Sequence, residues 1–188
     1  GVHPLLDAVV DSLPSPQDVP PVKGRHPRTG EEEIRRPSDN EPFSALVFKI
    51  MNDSYVGSLS FCRVYSGKLK VGASVYNSSK DTEERVTRLL VMHSNKRKEV
   101  DEITAGDIAA IGQMKNLSTG DTLCLRNHPI VLESINFPEP VVAAHIEPRS
   151  RSEHAKLAET LEKLTKEDPT FKVGPDPMPG HTLVYGMG

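Results

Sequence analysis

Cysteine is scarce in this sequence. Cys62 and Cys124 are the two among 188 residues, and no C-x-x-C pair occurs. That argues against a disulfide scaffold and against a thiolate zinc site, and a reducing, cytosol-like (cytoplasmic) compartment fits so few thiols. Long apolar runs are missing as well; the longest is far too short to cross a bilayer, so no membrane partner is expected. Nor does one sign of charge dominate. The 23 Lys and Arg against 26 Asp and Glu leave a net charge of -3, so any attraction to a polyanion must come from local patches. With 36% hydrophobic and 26% charged residues, a soluble folded chain of one ordinary domain or two small ones is expected.

Catalytic motifs are absent too. A GTP site needs a glycine-rich loop ending in lysine and a hydroxyl residue, a D-x-x-G element and an N-K-x-D element. Gly67-Lys68-Leu69 has no Ser or Thr to hold magnesium, Asn95-Lys96-Arg97-Lys98 ends on lysine instead of aspartate, and no D-x-x-G exists. G-x-S-x-G and H-E-x-x-H are also missing. The seven histidines are scattered without metal-ligand spacing, and His93 and His145 read as ordinary strand residues. Catalytic residues, metal ligands and a cofactor are therefore all expected to be none in this chain.

What is present is a sequence of contrasting textures. Val2, Leu5, Leu6, Val9, Val10 and Leu13 recur at helical spacing, and Pro14 and Pro16 end that helix. A helix this short needs a packing partner. The Gly1-Val2-His3-Pro4 start has no charged region, does not read as a signal peptide, and suggests a piece of a longer chain. Residues 17–42, rich in proline and carrying Glu31-Glu32-Glu33, read as a linker and loop.

From 43 to 127 the pattern is all-β. Strands are expected at 43–51, 56–65 (with a kink or bulge), 73–77, 84–92, 98–103, 107–114 and 121–125. Turn signals separate them at Asn52-Asp53-Ser54, Ser66-Gly67, Ser78-Ser79-Lys80, Ala105-Gly106-Asp107 and Thr119-Gly120-Asp121. Many short strands with regular turns imply a barrel or sandwich. Beyond it, 132–136 and 141–147 read as strands. Ser150 and Glu153 have capping-box spacing, and Leu157, Ala158, Leu161 and Leu164 form a helix stripe ended by Pro169. Strands at 170–173 and 182–186 follow. The β–α–β–β order predicts a small α+β sandwich with its second helix and last strand missing.

Local charge is the remaining signal. Arg85, Arg88, Lys96, Arg97 and Lys98 cluster around one expected strand pair, Arg63 and Lys68 flank Tyr65-Ser66-Gly67, and Arg149 and Arg151 fall where a strand meets a helix N-terminus. Phosphate contacts by such groups would follow shape and not base sequence.

Several stretches together resemble the translational GTPase elongation factor G. Gly1 to Val10 with Leu13-Pro14-Ser15-Pro16 is similar to the last helix of its nucleotide-binding domain. Ala45-Leu46-Val47-Phe48-Lys49-Ile50, Tyr55-Val56-Gly57-Ser58-Leu59, Arg63-Val64-Tyr65-Ser66-Gly67, Arg85-Val86-Thr87-Arg88-Leu89-Leu90, Ala105-Gly106-Asp107-Ile108 and Thr119-Gly120-Asp121-Thr122-Leu123 resemble its β-barrel domain II. Phe137-Pro138-Glu139-Pro140-Val141, Ile146-Glu147-Pro148, Glu167-Asp168-Pro169-Thr170-Phe171 and Gly186-Met187-Gly188 resemble domain III. The resemblance implies a multidomain chain: 1–16 the last nucleotide-domain helix, 17–42 a linker, 43–127 an all-β translation-factor barrel, and 132–188 an incomplete α+β, ferredoxin-like domain III.

It further implies a parent that couples GTP hydrolysis, with GTP and Mg held outside this chain, to tRNA and mRNA movement in polypeptide elongation. The implied partners are the ribosome (small-subunit rRNA and proteins) and the nucleotide-binding domain of the same protein. By that likeness Arg63, Tyr65, Lys68, Arg88 and Arg97 would face RNA, and Asp168, Thr170 and Phe171 would line the domain III wall of the fusidic acid region. Ribosome-protection factors of tetracycline resistance and ribosome-recycling paralogues share these domains and are the alternative.

Overall fold

The computed structural model describes residues 1–53, 57–94, 96–133, 135, 137–148, 150, 152–175 and 182–188. Helix α1 (Val2–Ser12) forms where the apolar spacing predicts it, and Leu13 leaves it in extended conformation ahead of Pro14. None of its residues is buried: Val10 is 80% and Val2 69% exposed.

The stretch expected to be a linker contains a hairpin, β1 (Val22–Arg25) and β2 (Glu32–Arg35). Its strands are four residues each and mostly charged, so they lack the apolar alternation that marks a strand in sequence. Pairing holds them instead: β1 bonds β2 on one side and β13 (Val131–Leu132) on the other. The strand expected over 132–136 accordingly ends at Leu132 and turns back onto β1; Ser134 and Asn136 lie outside the described residues.

The barrel strands are β3 (Ser44–Asp53), β4 (Gly57–Ser66), β5 (Lys68–Lys70), β6 (Ser74–Asn77), β7 (Thr82–Arg85), β8 (Arg88–His93), β9 (Lys96–Val100), β10 (Glu102–Thr104), β11 (Ile108–Gly112) and β12 (Thr122–Cys124). Eight form one antiparallel sheet in the order β7-β6-β12-β3-β4-β11-β8-β9, while β5 and β10 make a separate pair. Hydrogen bonding does not close the sheet, yet the chain connectivity requires it to curl. Only Val86 and Thr87 link β7 at one edge to β8, six positions away in the order. A flat sheet would put about 29 Å between those strands at ~4.8 Å per neighbour, and the three peptide steps from Arg85 to Arg88 span at most about 11 Å. The single core agrees: Val75 from β6, Leu89 from β8, Leu69 from β5 and Ile103 from β10 share one cluster with Val47, Cys62, Val64, Ile111 and Leu123.

Two sequence expectations change here. The strand expected over 84–92 is two strands, because Val86 breaks from the sheet; its N–H bonds Ala73 O at 2.9 Å and its carbonyl accepts from Gly72 N at 2.8 Å. The strand expected over 98–103 is likewise split between β9 and β10. The expected irregularity in 56–65 is observed in the β3–β4 pairing, which shifts register between Ser44/Ala45 and Val47/Lys49. Tyr55 and Val56 lie outside the described residues.

The second unit runs β14 (Val142–Ile146), α2 (Glu153–Glu167), β15 (Lys172–Pro175) and β16 (Thr182–Gly186), with sheet order β14-β16-β15, all antiparallel. The capping box does not form. Ser152 is the N-cap, without a side-chain bond, and the Ser150 hydroxyl meets that of Ser152 at 2.9 Å. Asp168 ends the helix before Pro169.

Candidate nucleic-acid interface and the joint between the two units

Strand alternation sorts the basic residues by face. In β4, Cys62 and Val64 point into the main core, so Leu59, Phe61, Arg63 and Tyr65 turn to the other side of the sheet, where Leu59 is itself fully buried and Arg63 is exposed. In β8, Leu89 and Val91 point to the core, so Arg88 and Leu90 face outward with them. Buried Leu59, Leu90 and Ala110 form a second apolar cluster on that side, with Met51 and Phe61 partly buried against it. Arg97 sits opposite Met92 across β8–β9 and shares its parity. Four of the five candidate RNA residues, Arg63, Tyr65, Arg88 and Arg97, therefore occupy one outer face. Lys68 stands apart on β5.

Most of these cations already have partners. The Arg63 guanidinium lies over the Tyr65 ring, 5.5 Å from its centroid. Arg88 Nε pairs with Glu99 at 3.0 Å, and Arg97 pairs with Asp53. Lys68 Nζ is 3.1 Å from Asp39 and 4.0 Å from Glu102, and the Asp39 hydrogen bond, then its charge, raise the ammonium pKa above its usual value. The Arg88 and Lys68 pairs are exposed and individually weak, whereas the Asp53 side chain that holds Arg97 is only 10% exposed. Lys96 and Lys98 differ. Both are exposed, and among the described residues neither makes an ion pair. They share the parity opposite to Arg97. Arg85 does not join this group: it is on β7, where its Nε donates to Gly72 O at 2.9 Å. Asn95, Arg149 and Arg151 lie outside the described residues.

Tyr65 also separates two open grooves. One, of about 260 Å³, is walled by Pro16, Val19, Pro20, Val22, Pro37 and Arg63; the other, of about 430 Å³, by Lys23, Leu46, Leu132 and Ile135.

Asp168, Thr170 and Phe171 come together as one turn after α2. Asp168 Oδ1 accepts from Thr170 N at 2.8 Å and Thr170 Oγ1 at 2.7 Å, and Phe171 N donates to Asp168 O at 3.0 Å. Thr170 and Phe171 are half-buried. One residue earlier, Glu167 Oε1 accepts from Asn52 N at 2.9 Å and Asn52 Nδ2 at 2.6 Å, joining the end of α2 to the end of β3. Beside this joint a cleft of about 480 Å³ is lined by Ile50, Met114, Leu117, Lys115, Lys163 and Lys166. Sequence reading missed the Asn52–Glu167 pair. The two are 115 positions apart, and each looks like an ordinary turn or helix-end polar residue.

Cys62 is fully buried, which pushes its thiol up to about 12; burial also raises Cys124. Among the described residues no group of three or more His, Cys, Asp or Glu could hold a metal ion, and no helix is long and apolar enough to cross a membrane.

A curled antiparallel barrel followed by a β–α–β–β unit is an arrangement of translation-factor domains. Residues 42–126 match the domain family described as elongation factor G domain 2, and residues 137–188 match elongation factor G, domain III. The chain belongs to the elongation factor G family. A crystal structure of a protein from Thermus thermophilus superimposes with a TM-score of 0.76 at 29% identity, covering 100% of this chain and 26% of that one. The chain thus spans about a quarter of the length of that structure.

Proposed function

We propose that this chain is the ribosome-binding and coupling part of a GTP-driven translocase. The observation that carries the reading is the succession, in one chain and in family order, of domain II and domain III, joined by the Asn52–Glu167 contact. Domain II would dock on small-subunit ribosomal RNA through its outer face. Arg63, Arg88 and Arg97 would trade intrachain carboxylates or the Tyr65 ring for phosphates, and Lys96 and Lys98 would add free charge at the β8–β9 tip. Domain III would relay the nucleotide state across the joint. Within this reading the chain catalyses nothing itself. GTP and Mg belong to a nucleotide domain of the same protein, and the setting is the cytoplasm.

The test is co-sedimentation of the chain with small ribosomal subunits over a salt series. Binding should weaken as salt rises, and Lys96→Glu with Lys98→Glu should lower the log–log salt slope by about one for each phosphate that is no longer neutralised. These two lysines are better targets than Arg97, whose reversal would also break its Asp53 pair. No binding at low salt with the fold intact by circular dichroism would overturn the reading.

A further inference from the structure

The segment that enters the barrel and the segment that leaves it are bonded to each other. The entering hairpin β1–β2 pairs Gly24 with Leu132 and Arg25 with Val131. Contact there is too close for any side chain at position 24: a Cβ on Gly24 would lie 2.6 Å from both Ile130 Cγ1 and Val131 O. From the other hairpin strand, buried Arg35 donates through Nη2 to His128 O at 3.2 Å, while its Nη1 is held by Glu33 at 2.9 Å and Ile34 O at 3.1 Å.

The barrel grips the same leaving segment. Ser78 Oγ donates to Ile130 O at 2.5 Å, Leu132 N donates to Thr122 Oγ1 at 3.1 Å, and His128 N to Leu125 O at 3.1 Å. Ile130 and Leu132 are buried with Tyr76 and Cys124, and Val22, Leu46 and Tyr65 pack against them. Past Leu132 the character changes. The described residues between 133 and 140 belong to no strand, and Val141 N already bonds Gly186 O inside the second unit.

We propose that the β1–β2 hairpin is a clasp. It fuses the chain's entry to its exit and makes residues 126–132 part of the barrel, so that any pivot between the barrel and the second unit lies beyond Leu132. A displacement arriving through 13–21 is then delivered to the base of the pivot without passing through the barrel core. The clasp is a property of the chain's own bonding and does not depend on what the barrel binds.

Amide hydrogen exchange on the whole chain tests it. Peptides covering 126–132 should exchange at least about tenfold more slowly than those covering 133–140, because exchange follows local opening. Gly24→Val should raise exchange in 126–132 by a similar factor while β3 and β4 stay protected. If Gly24→Val unfolds the barrel, Arg35→Met and Thr122→Val, each removing one side-chain bond to 128–132, should raise exchange there by smaller amounts. Equal exchange in the two segments of the unaltered chain would overturn the proposal, as would variants that leave 126–132 unchanged.

Discussion

Asp121 shows how one buried carboxylate organises a turn. It accepts from Ser118 N at 2.8 Å, from Asn77 Nδ2 at 2.8 Å and from Lys80 Nζ at 3.0 Å, and Gly120 before it takes a φ of +95. Replacing it with alanine takes the acceptor from the buried Asn77 Nδ2 and the part-buried Ser118 N, while Lys80 Nζ keeps Asn116 O and Ser118 Oγ. Asp121→Ala should cost about 2–3 kcal/mol in urea unfolding. The Thr119-Gly120-Asp121 turn was readable in sequence, since Gly and Asp are turn formers. Its bond to Asn77, 44 positions away, was not, because nothing local marks a partner. The buried thiols make a second prediction. Cys62 rises from an ordinary 9.0 to about 12, so the folded state keeps a proton that the unfolded chain releases above pH 9. Stability from this group is complete below pH 9 and falls as pH climbs from 9 towards 12. Thiol reagents at about pH 8 should therefore label neither cysteine in the folded chain, and should label both in urea.

At the scale of elements, the strongest constraint is the β4–β5 turn at Gly67. Its φ is +69, and an added Cβ would meet Phe43 N at 2.5 Å and Glu41 O at 2.6 Å. Gly67→Ala should destabilise the barrel by about 3 kcal/mol, seen as a lower denaturant midpoint with an unchanged m-value. The Ser66-Gly67 signal made this turn legible, as the alternating runs did for β3, β4, β11 and β16. Three elements were less legible for physical reasons. The β7–β8 break depends on sheet curl, which no local pattern records. The β1–β2 hairpin is stabilised by its pairing with β13, far along the chain, and not by an apolar stripe. The α2 start lacks the expected cap because Ser150 bonds Ser152 instead of the helix.

For the whole molecule, the family and the order of the two units could be read from extended stretches of resemblance, and the matches over 42–126 and 137–188 bear them out. The geometry of the candidate site could not be read in the same way. Sequence placed Arg85 with Arg88; the curl puts Arg85 on β7 and leaves Arg63, Tyr65, Arg88 and Arg97 on one face, the three arginines already paired or stacked through contacts to Asp53, Glu99 and the Tyr65 ring. In the proposed role this face, with the β8–β9 tip, meets small-subunit RNA. Because the native thiols are buried, a single introduced cysteine can carry a hydroxyl-radical probe. The decisive measurement compares cleavage of small-subunit RNA by a probe at Glu99→Cys, exposed opposite Leu90 on the Arg88 and Arg97 face, with cleavage by one at Ser74→Cys, exposed on β6. Local RNA cuts are expected from position 99 and weak or no cuts from position 74. Cuts from 74 alone, or none from either in a complex that forms, would contradict that role.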